Sequence, residues 1–155
     1  MEAIIFMFSL TIHNVEEALW FTKWMQKTMP NRSTKNEYFI FALIGITILG
    51  YLTAGMFVLF PDNQYFAYAF IGFVGAMLIN AIMPHLLLTI LFRKYCPGVL
   101  TGCFLIIPFH FTILLNSANN HLKVSEITIS ILVTGIILLG SIPILKNIAK
   151  KILIE

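Results

Sequence analysis

Charged residues in this chain are grouped, and between the groups run four stretches without Asp, Glu, Lys or Arg: Tyr38 to Pro61, Asn63 to Phe92, Tyr95 to Leu122 and Ile127 to Leu145. Each exceeds the roughly 18 residues that a helix needs to cross a bilayer. A fifth apolar run, from Ala3 to Thr22, is interrupted by a polar group holding His13, Glu16 and Glu17. The pattern predicts an all-α, polytopic transmembrane bundle of about five spans, at about 3–24, 38–60, 65–92, 98–118 and 126–145. The longest connection, Met25 to Asn36, is too short for a soluble domain, so residues 1–155 read as a single integral membrane domain. The first run does not read as a secretory signal, because Glu2 is the sole charge before Glu16 and the first lysine is Lys23.

Composition agrees with the pattern. With 59% hydrophobic and 11% charged residues and a mean hydropathy of +0.89, 155 residues exceed what one soluble core of this size can hide. Basic residues fall at Lys23, Lys27, Arg32 and Lys35, at Arg93 and Lys94, and at Lys146, Lys150 and Lys151, with Lys123 alone on the other side. The positive-inside rule then puts the N-terminus outside and the C-terminus in the cytoplasm of an inner-membrane protein. The net charge of +3 belongs to these inner loops; it implies anionic lipid as a partner, and no nucleic acid. Cys96 and Cys103 lie about 10 Å apart along a helix axis, too far for a disulfide. Asn31-Arg32-Ser33 spells a glycosylation sequon on the cytoplasmic side, where it reads as chance. His121 falls in an outer polar loop and receives no role.

Ionisable groups in hydrocarbon cost about 2.5 kcal/mol or more at a helix centre, so each calls for a reason. His13, Glu16 and Glu17 stand at i, i+3 and i+4 and project within an arc of about 100°; Ser9 and Trp20 extend the stripe. His85 follows Pro84, which leaves the carbonyl of Asn80 without its helical partner and predicts a kink. Counting inward at about 1.5 Å per residue, Glu17, His13 and His85 fall in one layer, about 9 to 15 Å from the inner basic residues. A joint site in the inner half of the membrane follows as an expectation. His110 counts to about 18 Å and either roofs the same cavity or packs. Gly45, Gly50, Gly55, Gly135 and Gly140 read as close-packing positions.

Three elements occur together: His13-Asn14-Val15-Glu16-Glu17, the second histidine His85, and Tyr95-Cys96-Pro97-Gly98. In this order they resemble the HXXEE family of bacterial integral membrane proteins, with its HxxEE and YxPG signatures. The resemblance runs from the first helix into the fourth, and implies His13, Glu16, Glu17, His85, Tyr95, Pro97 and Gly98 as motif residues of a membrane enzyme whose reaction is not established. Physically, Tyr95 to Gly98 reads as an interfacial aromatic anchor followed by a Pro-Gly break, with the Tyr95 hydroxyl within reach of the inner layer.

Function follows as competing expectations. One is an enzyme acting on a hydrophobic or lipid-like small molecule by acid/base chemistry, with Glu16 or Glu17 moving the proton, His13 orienting it, and His85 and Tyr95 completing the catalytic set. A variant places a divalent metal such as zinc among His13, Glu16 or Glu17, and His85. The alternatives are a proton-coupled transporter, or a non-catalytic lipid-binding accessory protein in which the cluster specifies helix pairing. Substrate, cofactor and oligomeric state are not written in the residues.

Overall fold

The computed structural model describes residues 1–32, 34–120 and 122–153; Ser33 of the sequon and His121 lie outside the described residues. Five long helices build the chain: α1 Glu2–Thr28, α2 Asn36–Leu59, α3 Gln64–Phe92, α4 Val99–Asn119 and α5 Val124–Ile152. No strand occurs among the described residues. Helices α2 to α5 are long and apolar enough to cross a membrane. The 27-residue α1 is long enough but carries the polar cluster.

The helices run past two of the expected boundaries. The first continues to Thr28 and the last to Ile152, beyond Lys146, Lys150 and Lys151. Hydropathy marks where a chain leaves hydrocarbon, whereas lysine is a good helix former and favours the negative end of the helix dipole.

Contacts between helix ends bring the basic groups to one end of the bundle. Trp24 of α1 meets Phe92 of α3 with ring centroids 5.9 Å apart, Phe21 stacks on Phe39 of α2 at 5.2 Å, and the Lys146 ammonium of α5 sits 5.5 Å from the Phe39 ring. At the opposite end the Asn116 amide donates to Glu2 at 3.2 Å. The core lies where α1 crosses α3: Phe6 sits edge-on to Phe70 and Phe73 at 5.3 and 5.5 Å, among Leu10, Ile71 and Val74. The flank formed by α5 packs along α3 and α2 and hardly touches α4. It leaves Leu132, Ile136 and Leu139 exposed, as expected where lipid replaces water.

The glycines divide differently from the expectation. A Cβ on Gly45 would meet Leu145 at 2.8 Å and one on Gly50 would meet Leu10 at 2.5 Å, but Gly55, Gly135 and Gly140 have nothing within 4 Å. The tightest helix approach is made instead by Gly72 and Gly75 of α3 against α5, where a Cβ would fall 2.2 Å from the Thr134 hydroxyl and 2.3 Å from Ile131.

Two irregular turns shape the polar end. In α3 the segment Ala81–Leu86 widens to π-helical geometry and breaks at Met83 (φ −128°, ψ 106°), beside Pro84, which has no N–H to give. In α4 the segment Gly102–Ile106 is also π-helical, and a Cβ on Gly102 would lie 3.1 Å from the Ala81 side chain. The two distortions therefore face each other across the α3–α4 seam.

Candidate functional site

Helix α1 presents His13, Glu16 and Glu17 to that seam, and all three are shut off from the surface: His13 is 0% exposed, Glu16 4%, Glu17 6%, and His85 from α3 1%. Adjacent helix positions point about 100° apart. The two carboxylates accordingly leave in different directions, and they are not the closely coupled pair that their adjacency suggests.

Glu16 points at the start of α4. Its Oε1 accepts from the Gly98 N–H at 2.7 Å and from the Tyr95 hydroxyl, and its Oε2 accepts from the Thr101 N–H at 2.9 Å and the Thr101 hydroxyl at 2.6 Å. The first turn of a helix has free N–H groups that are usually answered by the side chain of the capping residue. Here that residue is Gly98, which has none, so a carboxylate from another helix supplies the acceptor. Gly98 is glycine for two reasons: its φ is +98°, and a Cβ would lie 2.5 Å from His85 Nδ1 and 2.6 Å from Cε1. Tyr95 to Gly98 is thus a turn whose donors converge on Glu16. Partial burial, with Glu16 beside it, pushes the Tyr95 hydroxyl above its usual range, which keeps it a donor.

Glu17 points at α3. Its Oε1 lies 2.5 Å from His85 Nε2 and 3.4 Å from His13 Nε2. The two imidazoles stand edge to face with centroids 5.1 Å apart, and the Asn80 amide nitrogen is 3.4 Å from each Nε2. The outward nitrogens are held as well: His13 Nδ1 is 2.9 Å from the Thr101 hydroxyl oxygen, and His85 Nδ1 is 3.9 Å from Cys96 Sγ. The loop below is tied to α3, because the Cys96 N–H donates to Thr89 Oγ1 at 3.1 Å while that hydroxyl donates to the His85 carbonyl at 2.9 Å.

Thr101 joins the two carboxylate sites. Its hydroxyl has one proton, and in donating that proton to Glu16 it leaves a lone pair that accepts from His13 Nδ1–H. In neutral imidazole one nitrogen donates and the other accepts. His13 Nε2 is then a lone pair aimed at the Glu17 carboxylate.

The remaining candidates separate from this centre. His110 donates from Nδ1 to the Val74 carbonyl at 3.0 Å and meets Ser9 Oγ at 2.9 Å through Nε2, with Phe6 alongside at 5.4 Å. Both nitrogens are taken, so it ties α1, α3 and α4 together rather than roofing a cavity. Trp20 is 52% exposed and takes no part in the buried cluster. Cys96 and Cys103 are free thiols. His13, Glu17 and His85 meet in direct contact through Glu17 Oε1. Thr101, three residues after Gly98, carried no sequence signal; Asn80 was singled out for its freed carbonyl, and it is the side chain that reaches the two imidazoles.

A helical bundle with four helices fit to cross a membrane and a buried histidine–carboxylate cluster where three helices meet defines the class. The chain belongs to the family described as proteins of unknown function with an HXXEE motif, whose model matches residues 4–113, from the start of α1 into α4. It is 44% identical over 150 residues to the uncharacterized protein YrkK of Bacillus subtilis (strain 168), an alignment covering 95% of this chain and 94% of that protein. No solved structure matches.

Proposed function

We propose that the protein is a multi-pass inner-membrane enzyme acting on a hydrophobic, lipid-like substrate, with Glu17 and His85 exchanging protons with that substrate and His13 held against them. What carries the reading is the convergence of two imidazole Nε2 atoms on one buried carboxylate oxygen. A device for pairing helices works with small residues and single hydroxyls and has no need of three ionisable groups at one point. Glu17 would take a proton from the substrate or from a water molecule, and His85, 2.5 Å away, would return one to a second atom. Glu16 and Tyr95 enter as the clamp that fixes the loop and, through Thr101, the orientation of His13. The substrate would enter laterally from the bilayer, and the basic end of the bundle would face the cytoplasm.

The test compares membrane lipid extracts from cells overproducing the wild type and Glu17→Gln by mass spectrometry, followed by incubation of the purified proteins with the same extract. Lipid species that change with the wild type alone support the reading. Identical profiles from both proteins would remove it, and Glu17-dependent proton flux in vesicles without lipid conversion would replace it with transport. Orientation has its own test: with Cys96 and Cys103 replaced, Asn31→Cys should react with an impermeant maleimide only after the cells are opened. Labelling from outside intact cells would reverse the topology.

A further inference from the structure

We propose that His13, Glu17 and His85 form a mononuclear site for a zinc-like divalent cation, bound through His13 Nε2, His85 Nε2 and a Glu17 oxygen; the proposal rests on the reading of this cluster as the reactive centre and gives it a cofactor. One ligand atom from each of the three lies within 4.8 Å of the others. Tetrahedral zinc with bonds of about 2.0–2.2 Å holds its ligand atoms about 3.4 Å apart. His13 Nε2 and Glu17 Oε1 stand at 3.4 Å. The shorter His85 contact, 2.5 Å, is a hydrogen bond that opens when a cation replaces its proton.

Three further features point the same way. The hydroxyl relay from Glu16 through Thr101 gives the Nδ1–H of His13 an acceptor and leaves Nε2 as a lone pair; a second hydrogen bond of this kind is how proteins orient ligating histidines. That lone pair faces a carboxylate oxygen at 3.4 Å, two acceptors opposed with the Asn80 amide nitrogen as a long donor at 3.4 Å from Nε2, an arrangement that a cation would satisfy more fully. Charge agrees as well: Glu16 and Glu17 bring two negative charges into the interior, and the partners found for them among the described residues are hydroxyls, backbone N–H groups and imidazoles. A divalent cation balances both. Two imidazoles and one carboxylate leave a fourth position for water, which zinc converts to a nucleophile near neutral pH. The Asn80 amide nitrogen, 3.4 Å from both Nε2 atoms, would yield its place at those nitrogens to the cation.

The experiment uses the purified full-length protein in detergent, stripped with chelator and then given zinc or cobalt(II) alone. One metal per chain should survive size exclusion, cobalt should show the visible bands of a tetrahedral site, and X-ray absorption of the zinc form should show two imidazoles. Thr101→Val should weaken zinc binding about 10- to 100-fold, as loss of an orienting hydrogen bond does, while His85→Gln should abolish the tetrahedral cobalt spectrum. Absence of stoichiometric metal from the wild type, or a bound metal without imidazole ligands, overturns the proposal whatever the variants do. If metal is absent but lipid conversion still depends on Glu17, the site works by proton transfer alone and the functional reading stands. If metal binds as described and no lipid changes, the metal site stands and the enzyme reading falls.

Discussion

Two buried histidine networks lie along the inner face of α1, and they differ in how their hydrogen bonds add up. At His110 each ring nitrogen has its own partner, the Val74 carbonyl at 3.0 Å and Ser9 Oγ at 2.9 Å. A neutral imidazole needs one acceptor and one donor, and both are in reach when the Ser9 hydroxyl gives its proton to Nε2 in preference to the Phe6 carbonyl at 3.0 Å. One turn further along α1, His13 and His85 turn both Nε2 atoms on the same Glu17 oxygen, with an amide between them. Burial is equal in the two places, so burial does not distinguish a pin from a reactive centre. The distinction lies in whether every polar atom has a separate answer.

The largest effect expected from that difference is on turnover. His85→Gln should reduce conversion of the lipid-like substrate by at least ~100-fold, the scale of a lost acid/base group, with little loss of fold. His110→Phe should do the reverse: it takes the imidazole N–H from the Val74 carbonyl and leaves Ser9 with the Phe6 carbonyl alone, costs about 1–2 kcal/mol, and spares turnover in the folded fraction. Thermal unfolding in detergent beside the lipid assay reads both. Equal loss of turnover from both variants would erase the distinction between the two networks.

Gly98→Ala should be among the most damaging small substitutions. It forces a side chain onto φ +98° and drives a Cβ to 2.5 Å from the His85 ring; strain and overlap together amount to about 2–4 kcal/mol. Gly140→Ala, with nothing within 4 Å, should change the melting temperature little or raise it slightly. The glutamates are expected to part company too. Glu16→Gln turns an amide nitrogen toward N–H and O–H donors at the start of α4 and should cost about 2–4 kcal/mol. Glu17→Gln, opposite imidazoles that can reorient their protons, should leave stability close to wild type. Matching melting temperatures for the two would mean that Glu16 is not a clamp.

That divergence marks where sequence stopped being sufficient. Hydropathy located the helices, since the uncharged run from Tyr38 to Pro61 became α2, Asn36–Leu59. Counting along helices set His13, Glu17 and His85 at one depth, and the structure places them in contact. Spacing on one helix, however, fixes an angle about its axis and says nothing of which neighbour stands there. Glu16 and Glu17 differ by about 100°, which is the difference between facing the cap of α4 and facing a histidine. The same gap hid Thr101, a plain hydroxyl until a carboxylate and an imidazole approach it from another helix, and it misassigned Gly55, Gly135 and Gly140 while Gly45 and Gly50 are close-packed as expected. Gly72 and Gly75 are tight because α5 lies on them, whereas Gly135 and Gly140 sit on a face that meets nothing.

The smallest expected effect is chemical and tests whether the Glu17 network is as closed as the His110 one. Cys96 is fully buried beside His85, with its Sγ 3.9 Å from Nδ1. Burial, and after it the charges of Glu17 and Glu16, pushes its thiol up to about 12. A thiol raised in this way keeps its proton where the unfolded chain, ionising near 9.0, would release it. The stability it contributes is therefore complete below pH 9 and is lost as pH rises toward about 12. Since the thiolate is the form that reacts with alkylating agents, Cys96 in a Cys103→Ala background should react with N-ethylmaleimide at pH 8 at least ~100-fold more slowly in the folded protein than after denaturation, a factor set by access and ionisation together. Mass spectrometry of the intact chain over time measures the ratio. Rapid labelling in the folded state would mean that the loop from Tyr95 to Gly98 opens readily. The contact among Glu17, His85 and His13 would then be one state of a mobile site, unlike the fixed pin at His110.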